Sequence, residues 1–187
     1  ACSSSAKVFA SAYRSIESGF CDAAIVGGVD SLCLTTLYGF NSLQLISEDI
    51  CRPWDKQRNG INIGEAAGFM LLERSNECKG VCLTGYGESS DAYHISSPHP
   101  EGDGGKMAME SALSAAGVKA SDIDYVNLHG TATPSNDQSE SRGLYSIFGD
   151  EIACSSTKGM TGHTLGAAGI NEAIICMLSL ENSIIPA

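Results

Sequence analysis

Three groups of residues carry side chains that could act together in covalent chemistry. The first is Ala1-Cys2-Ser3-Ser4-Ser5, where a helical composition begins. A thiol at a helix start faces free backbone N–H groups and the positive end of the helix dipole, and both favour the thiolate. The second is His129-Gly130-Thr131-Ala132-Thr133, which follows a strand-like run. Gly130 removes a side chain beside the histidine and so lets a ligand approach the backbone. The third is Thr157-Lys158-Gly159-Met160-Thr161-Gly162-His163, continued by Thr164-Leu165-Gly166-Ala167-Ala168-Gly169, whose glycine density suits a narrow pocket. A helix-start cysteine is as often structural as reactive, and a lone histidine is more often a satisfied structural residue. Together they suggest a thiolate working with two imidazoles. A thiolate accepts an acyl group as a thioester. Two neutral imidazoles can donate through Nε2 to one carbonyl oxygen and stabilise developing enolate charge. Lys158 can bias the field there. A hydrolase would need only one histidine, oriented by a carboxylate or an asparagine.

The elements that must position these groups follow from periodicity and punctuation. A helix is expected over Ser3–Ser18, stopped by Gly19, and a buried strand over Asp22–Asp30. Thr36–Ile46 reads as a short helix and Ile50–Gly64 as a loop. Ala66–Glu73 and Gly80–Gly87 read as two strands joined by a turn near Asn76. Ser89–Gly105 is a long polar loop of the kind that is often functional. A helix over Lys106–Ala116 ends at Gly117, and a strand is expected over Ile123–Leu128. Asn136 and Asp137 can cap a helix running to Phe148. Ile152–Ser155 is a short strand, Gly169–Leu180 an apolar helix, and Ser183–Ile185 the start of a last strand. Strands alternating with helices give an α/β layout with a mixed sheet covered by helices.

Bulk properties narrow the classes. The 187 residues suit one domain or a small pair, and 43% of them are hydrophobic, as in a globular protein. The formal charge is -11, from 22 acids and 11 bases, which argues against nucleic acid because such partners need a basic face. No signal peptide and no apolar run near the ~20 residues of a membrane span is seen. Residue 1 is Ala and the chain opens inside a motif, so it reads as part of something longer. Eight cysteines are present, none in a CxxC pair, and no metal is expected. Apart from Cys2 they are expected to be buried, reduced thiols, as in a cytoplasmic enzyme.

The long motifs resemble those of β-ketoacyl synthases. ACSSSA resembles their nucleophile motif, HGTATPSND their first histidine motif, and TKGMTGHTLGAAG their lysine and second histidine motif. RPWDKQRNGINIGEAAGFMLLE resembles their arginine-aspartate-glycine segment, and GYGESSDAYHISSPHPEG the stretch bordering the pantetheine channel of the elongating subfamily. Order and spacing agree along nearly the whole chain.

The resemblance implies a thiolase-like fold. It makes residues 1–75 the end of the N-terminal half and residues 76–187 most of the C-terminal half. It implies that Cys2 takes the acyl group. His129 and His163 would bind the malonyl thioester carbonyl and assist decarboxylation, and Lys158 would hold the electrostatics near His129. Glu140 would be a structural carboxylate paired with Lys158. Thr131, Thr133 and Ser97 would contact the phosphopantetheine arm. No cofactor of its own is implied. The implied partners are acyl carrier protein and a second synthase subunit, in a homodimer or heterodimer. Two histidines separate this pattern from initiating synthases and chalcone synthases, which use Cys, His and Asn, and from thiolases, which use a second Cys. The alternative is a non-catalytic chain-length factor, but those lack the nucleophilic Cys. Two departures stand out: Ala66 in GEAAG for the usual glycine, and Trp54 where Phe is common. The family's strand before Cys2 and its GFGG-type loop are absent from these 187 residues, so the chain alone is expected to be poorly active.

Overall fold

The computed structural model describes residues 2–186. Six helices, α1 (Ser4–Glu17), α2 (Leu34–Ser42), α3 (Asp103–Ala116), α4 (Pro134–Phe148), α5 (Lys158–Thr161) and α6 (Ala168–Asn182), accompany four strands, β1 (Ala23–Asp30), β2 (Ala66–Glu73), β3 (Tyr125–Asn127) and β4 (Ala153–Ser155). The expected mixture of strand senses is present, divided between two ladders. β1 and β2 are antiparallel, with Ala23 opposite Glu73 and Asp30 opposite Ala66. β3 and β4 are parallel. The residues fall into two compact units.

The first unit holds residues 2–38, 63–82 and 161–186. Its core is built by one face of the β1–β2 ladder against α1 and α6. Ala12, Val26, Ala167 and Ile170 are buried there, flanked by Phe9, Met70, Leu72 and Ile174. The packing is close because small residues allow it. A Cβ on Gly28 would lie 2.6 Å from Ser5 Cβ, and one on Gly169 would lie 2.7 Å from Ala6 Cβ. The other face of the ladder carries Ile25, Val29, Phe69 and Leu71, all more than half exposed. Period-two alternation is therefore obeyed with apolar residues on both sides.

Two polar contacts join the elements of this core. The hydroxyl of Ser5, 2% exposed, accepts the N–H of Ile170 at 3.0 Å. Ile170 stands in the first turn of α6, where no intrahelical partner exists. Ser5 therefore caps a helix other than its own. Asp30, at the end of β1, accepts the N–H of Gly166 at 2.8 Å, just before α6. Ser5→Ala leaves the Ile170 N–H buried and unsatisfied, and is expected to lower stability by about 1–2 kcal/mol in urea unfolding of the full-length protein. A change under a few tenths would contradict the capping role.

The second unit holds residues 39–62 and 83–160. β3 and β4 lie side by side, and Leu128 N extends the ladder by donating to Ser155 O at 2.8 Å. α3 packs on α4. The segment between Ser47 and Asn62 is tied to itself. Asn62 accepts from Cys51 N at 2.6 Å and donates to Ser47 O and Asp49 O.

Four expectations are corrected. Residues 80–87 form no strand, and β2 pairs with β1 instead. Gly85 and Gly87 lie against the backbone of α3, at Ala112 and Ala108 respectively, so packing on a helix replaces a ladder. Ser183–Ile185 is not strand either: Ser183 closes α6 in the left-handed conformation at φ 54. Asn136 and Asp137 do not cap α4. Thr133 holds the cap position and Pro134 the first helical one, which suits a residue without an N–H. The cysteines are not uniformly buried thiols. Cys33 is exposed, and Cys78 and Cys82 form a disulfide. Their four-residue separation in an exposed turn brings the Cα atoms to 6.1 Å, within reach of a bridge. Among the described residues, no helix is long and apolar enough to cross a membrane.

Candidate active site

In the first unit, Cys2 precedes α1, with Ser3 at the cap position. Its half-buried sulfur lies 3.2 Å from Nε2 of His163. His163 is 2% exposed. Its backbone is fixed by a parallel bridge to Ile63 and by the N–H of Gly64, which donates to His163 O at 3.1 Å. Gly162 takes φ 68 to make the turn that presents the ring. Ser5 and Asp30 hold α1 and β1 to the start of α6, so Cys2 and His163 hang from one packed core. A thiol touching an imidazole nitrogen can pass its proton to that ring, or be held as a thiolate by the ring N–H.

The second unit places His129 two residues after the end of β3, beyond Leu128. Both oxygens of Glu140 are used: Oε1 accepts the N–H of His129 at 2.6 Å and Oε2 that of Gly130 at 2.8 Å. Burial pushes the Glu140 carboxyl above the ordinary carboxylate range. The two N–H groups and the Lys158 charge oppose this, while Asp137 adds to it. The native state thus keeps this proton to a higher pH than the unfolded chain does. Stability falls as pH rises from the ordinary carboxylate value to the raised native one, and is flat above it. Glu140→Ala leaves two N–H groups without their acceptor. It is expected to cost about 2–4 kcal/mol at neutral pH in urea unfolding, and Glu140→Gln is expected to remove the pH-dependent fall. An unaltered midpoint in both would contradict the anchoring role.

Gly130, at φ 35, is needed for packing rather than for ligand access, because Ser156 Cβ occupies the space a side chain would take. Ser156 Oγ in turn donates to Gly130 O at 2.8 Å. Thr131 and Thr133 are buried and share a hydrogen bond between their hydroxyls at 2.9 Å. The fully buried Ala132 between them adopts φ 64, and its carbonyl accepts the N–H of Gly60 at 3.0 Å. Lys158, 2% exposed, opens α5. Ser97 lies exposed in the loop before α3.

Within the units, then, the structure brings together Cys2 with His163, and His129 with Glu140, and it pairs Thr131 with Thr133. The model of the beta-ketoacyl synthase C-terminal domain matches residues 81–187, and that of the N-terminal domain matches residues 1–78. The chain belongs to the β-ketoacyl synthase family. It is 39% identical over 203 residues to 3-oxoacyl-[acyl-carrier-protein] synthase 2 of Vibrio cholerae, covering 100% of this chain and 49% of that protein. The protein of the same name from Staphylococcus aureus is 38% identical, with 98% and 49% covered. The chain thus spans about half the length of these curated relatives. A chain of the Xenorhabdus doucetiae complex of ketosynthase ApeO with its chain length factor ApeC superposes with a TM-score of 0.96 at 50% identity, covering 100% of this chain and 46% of that one. The ishigamide ketosynthase/chain length factor gives 0.86 at 36%, with 93% and 44% covered. The fold is accordingly thiolase-like, as the sequence implied.

Sequence reasoning missed residues that fix the backbone around these side chains within each unit. Ser5 is hidden in a run of serines, and its neighbour in α6 is 165 positions away. Asp30 gave a signal, an acid closing an apolar strand. Asp137 was read as a cap, yet its carboxylate, 2% exposed, accepts the N–H of Trp54 at 2.9 Å and lies 3.4 Å from Arg58 Nε. Trp54 takes φ 63, so this bond pins a strained backbone. Of the two family departures, Trp54 makes that bond through its backbone, and Ala66 is the first residue of β2, opposite Asp30.

Proposed function

We propose that this chain carries the acylation and decarboxylation groups of an elongating β-ketoacyl-[acyl-carrier-protein] synthase. The observation that carries the reading is the 3.2 Å contact between Cys2 and His163 in a chain of this family. Cys2 attacks the acyl thioester of one carrier protein, forms an acyl-enzyme and releases the carrier thiol. A malonyl carrier thioester then binds with its carbonyl oxygen accepting from Nε2 of His129 and His163. Its C–C bond to the carboxylate breaks, CO2 leaves, and the electron pair is held as an enolate. That carbon attacks the acyl-enzyme carbonyl, restoring the Cys2 thiolate and leaving a chain longer by two carbons. Lys158 supplies positive field near His129, and Glu140 fixes the His129 backbone. Thr131, Thr133 and Ser97 contact the phosphopantetheine arm.

No cofactor beyond the carrier's arm is used. The full-length protein works in the cytoplasm with acyl carrier protein and as a homodimer or heterodimer with a related subunit. It extends a fatty acid or a polyene or polyketide-like chain. The isolated 187 residues are proposed to be inactive. Cys2 itself weighs against a chain-length-factor role. The test is loss of CO2 from malonyl carrier protein by the full-length enzyme, with and without acylation. Acyl-dependent condensation is expected. Absence of both decarboxylation and condensation would favour a non-catalytic subunit, and hydrolysis without any malonyl unit would point to a Cys-His hydrolase.

A further inference from the structure

The face of α4 that looks toward the loop before α3 carries Ser139, Arg142 and Gly143, at the i, i+3 and i+4 spacing of one helix surface. Each grips a different part of residues 99–102. Ser139, 6% exposed, donates its hydroxyl to His99 O at 2.8 Å. Arg142 Nη1 donates to Pro100 O at 3.1 Å and pairs with Glu101 Oε1 at 2.6 Å. Gly102, at φ 73, lies against Ser139 O and Gly143, where a side chain would have no room. One residue along the same turn, Glu140 holds the backbone of His129 and Gly130. The helix therefore clamps two separate loops within one rigid element. Ser97 lies two residues before the first clamp, and Thr131 follows directly on the second.

We infer that Ser139 and Arg142 are positioning residues for the carrier's phosphopantetheine arm, keeping the Ser97 segment in register with Thr131 and Thr133. This rests on the function proposed above. Neither side chain touches the arm. They act by removing slack from a loop whose tip, at Ile95, is fully exposed. Surface ion pairs alone contribute little. Here the pair adds to a buried hydroxyl bond and a glycine contact, so the double variant is the informative one.

The test uses the full-length synthase with Ser139→Ala, Arg142→Ala and their combination. KM is measured for malonyl carrier protein and for S-malonyl-N-acetylcysteamine, which lacks most of the arm. The double variant is expected to raise KM for the carrier substrate about tenfold, the value of one lost hydrogen bond, while kcat and the truncated substrate's KM stay within about twofold. Hydrogen exchange over residues 93–101 is expected to quicken. Arg142→Lys, which keeps the charge, is expected to recover part of the effect. Equal losses on both substrates, or no loss on either, would overturn the inference. Cerulenin labelling of Cys2 in the wild type separates the two levels. If it is absent, the underlying function is wrong, whereas normal labelling with an unmoved KM refutes the clamp alone.

Discussion

Cys2→Ala in the full-length protein is expected to abolish acyl transfer from a carrier thioester and to reduce elongation by at least about a thousandfold. Deleting a nucleophile removes the covalent intermediate itself, so no neighbouring group can compensate by degree. The other free thiols offer no substitute. Burial pushes Cys51, Cys154 and Cys176 upward in pKa, away from the reactive thiolate. Cys33 is pulled the other way by its hydrogen bond with Thr36, but it stands exposed beside α2, and among the described residues no imidazole contact holds it. Because Cys2→Ala keeps both histidines, slow decarboxylation of malonyl carrier protein is expected to persist while condensation disappears. Product analysis separates the two. Condensation near the wild-type rate would remove Cys2 from the mechanism.

His163→Ala is expected to have the next largest effect, a loss of about 10²–10³ in kcat for malonyl decarboxylation, as for other deleted oxyanion donors. The ring also touches the Cys2 sulfur, so acyl transfer should slow in the same variant. His163 is almost wholly buried, and its truncation opens a cavity beside Thr164 and Leu165, which are themselves buried. Stability must therefore be measured with activity. A variant that melts normally and decarboxylates normally would show the contact with Cys2 to be incidental.

The elements nearest the chemistry were legible in the sequence because each is fixed by local pattern. Helix α1 follows from its composition and Gly19, β1, β2 and α6 from their apolar runs, and α3 from its stop at Gly117. The segments that misled are those decided by distant partners. Residues 80–87 have strand composition, but their glycines are used to approach α3. Asp137 sits where a cap would sit, yet Pro134 already starts the helix and the carboxylate turns to Trp54, 83 residues earlier. Cys78 and Cys82 look like two more reduced thiols until the turn between them is drawn in space. Motif reading singled out Cys2, His129, His163, Lys158 and Glu140 as candidates for chemistry. It did not find Ser5, Ser139 or Arg142, whose importance lies only in what they touch.

The measurement closest to the central claim is peptide mass mapping of the full-length protein after incubation with isotopically labelled acyl carrier protein. The acyl label, released by hydroxylamine as a thioester, is expected on the peptide that contains Cys2, with none on the same peptide after Cys2→Ala. A stable label on any other residue, or an unlabelled Cys2 peptide under conditions that support chain extension, would contradict it.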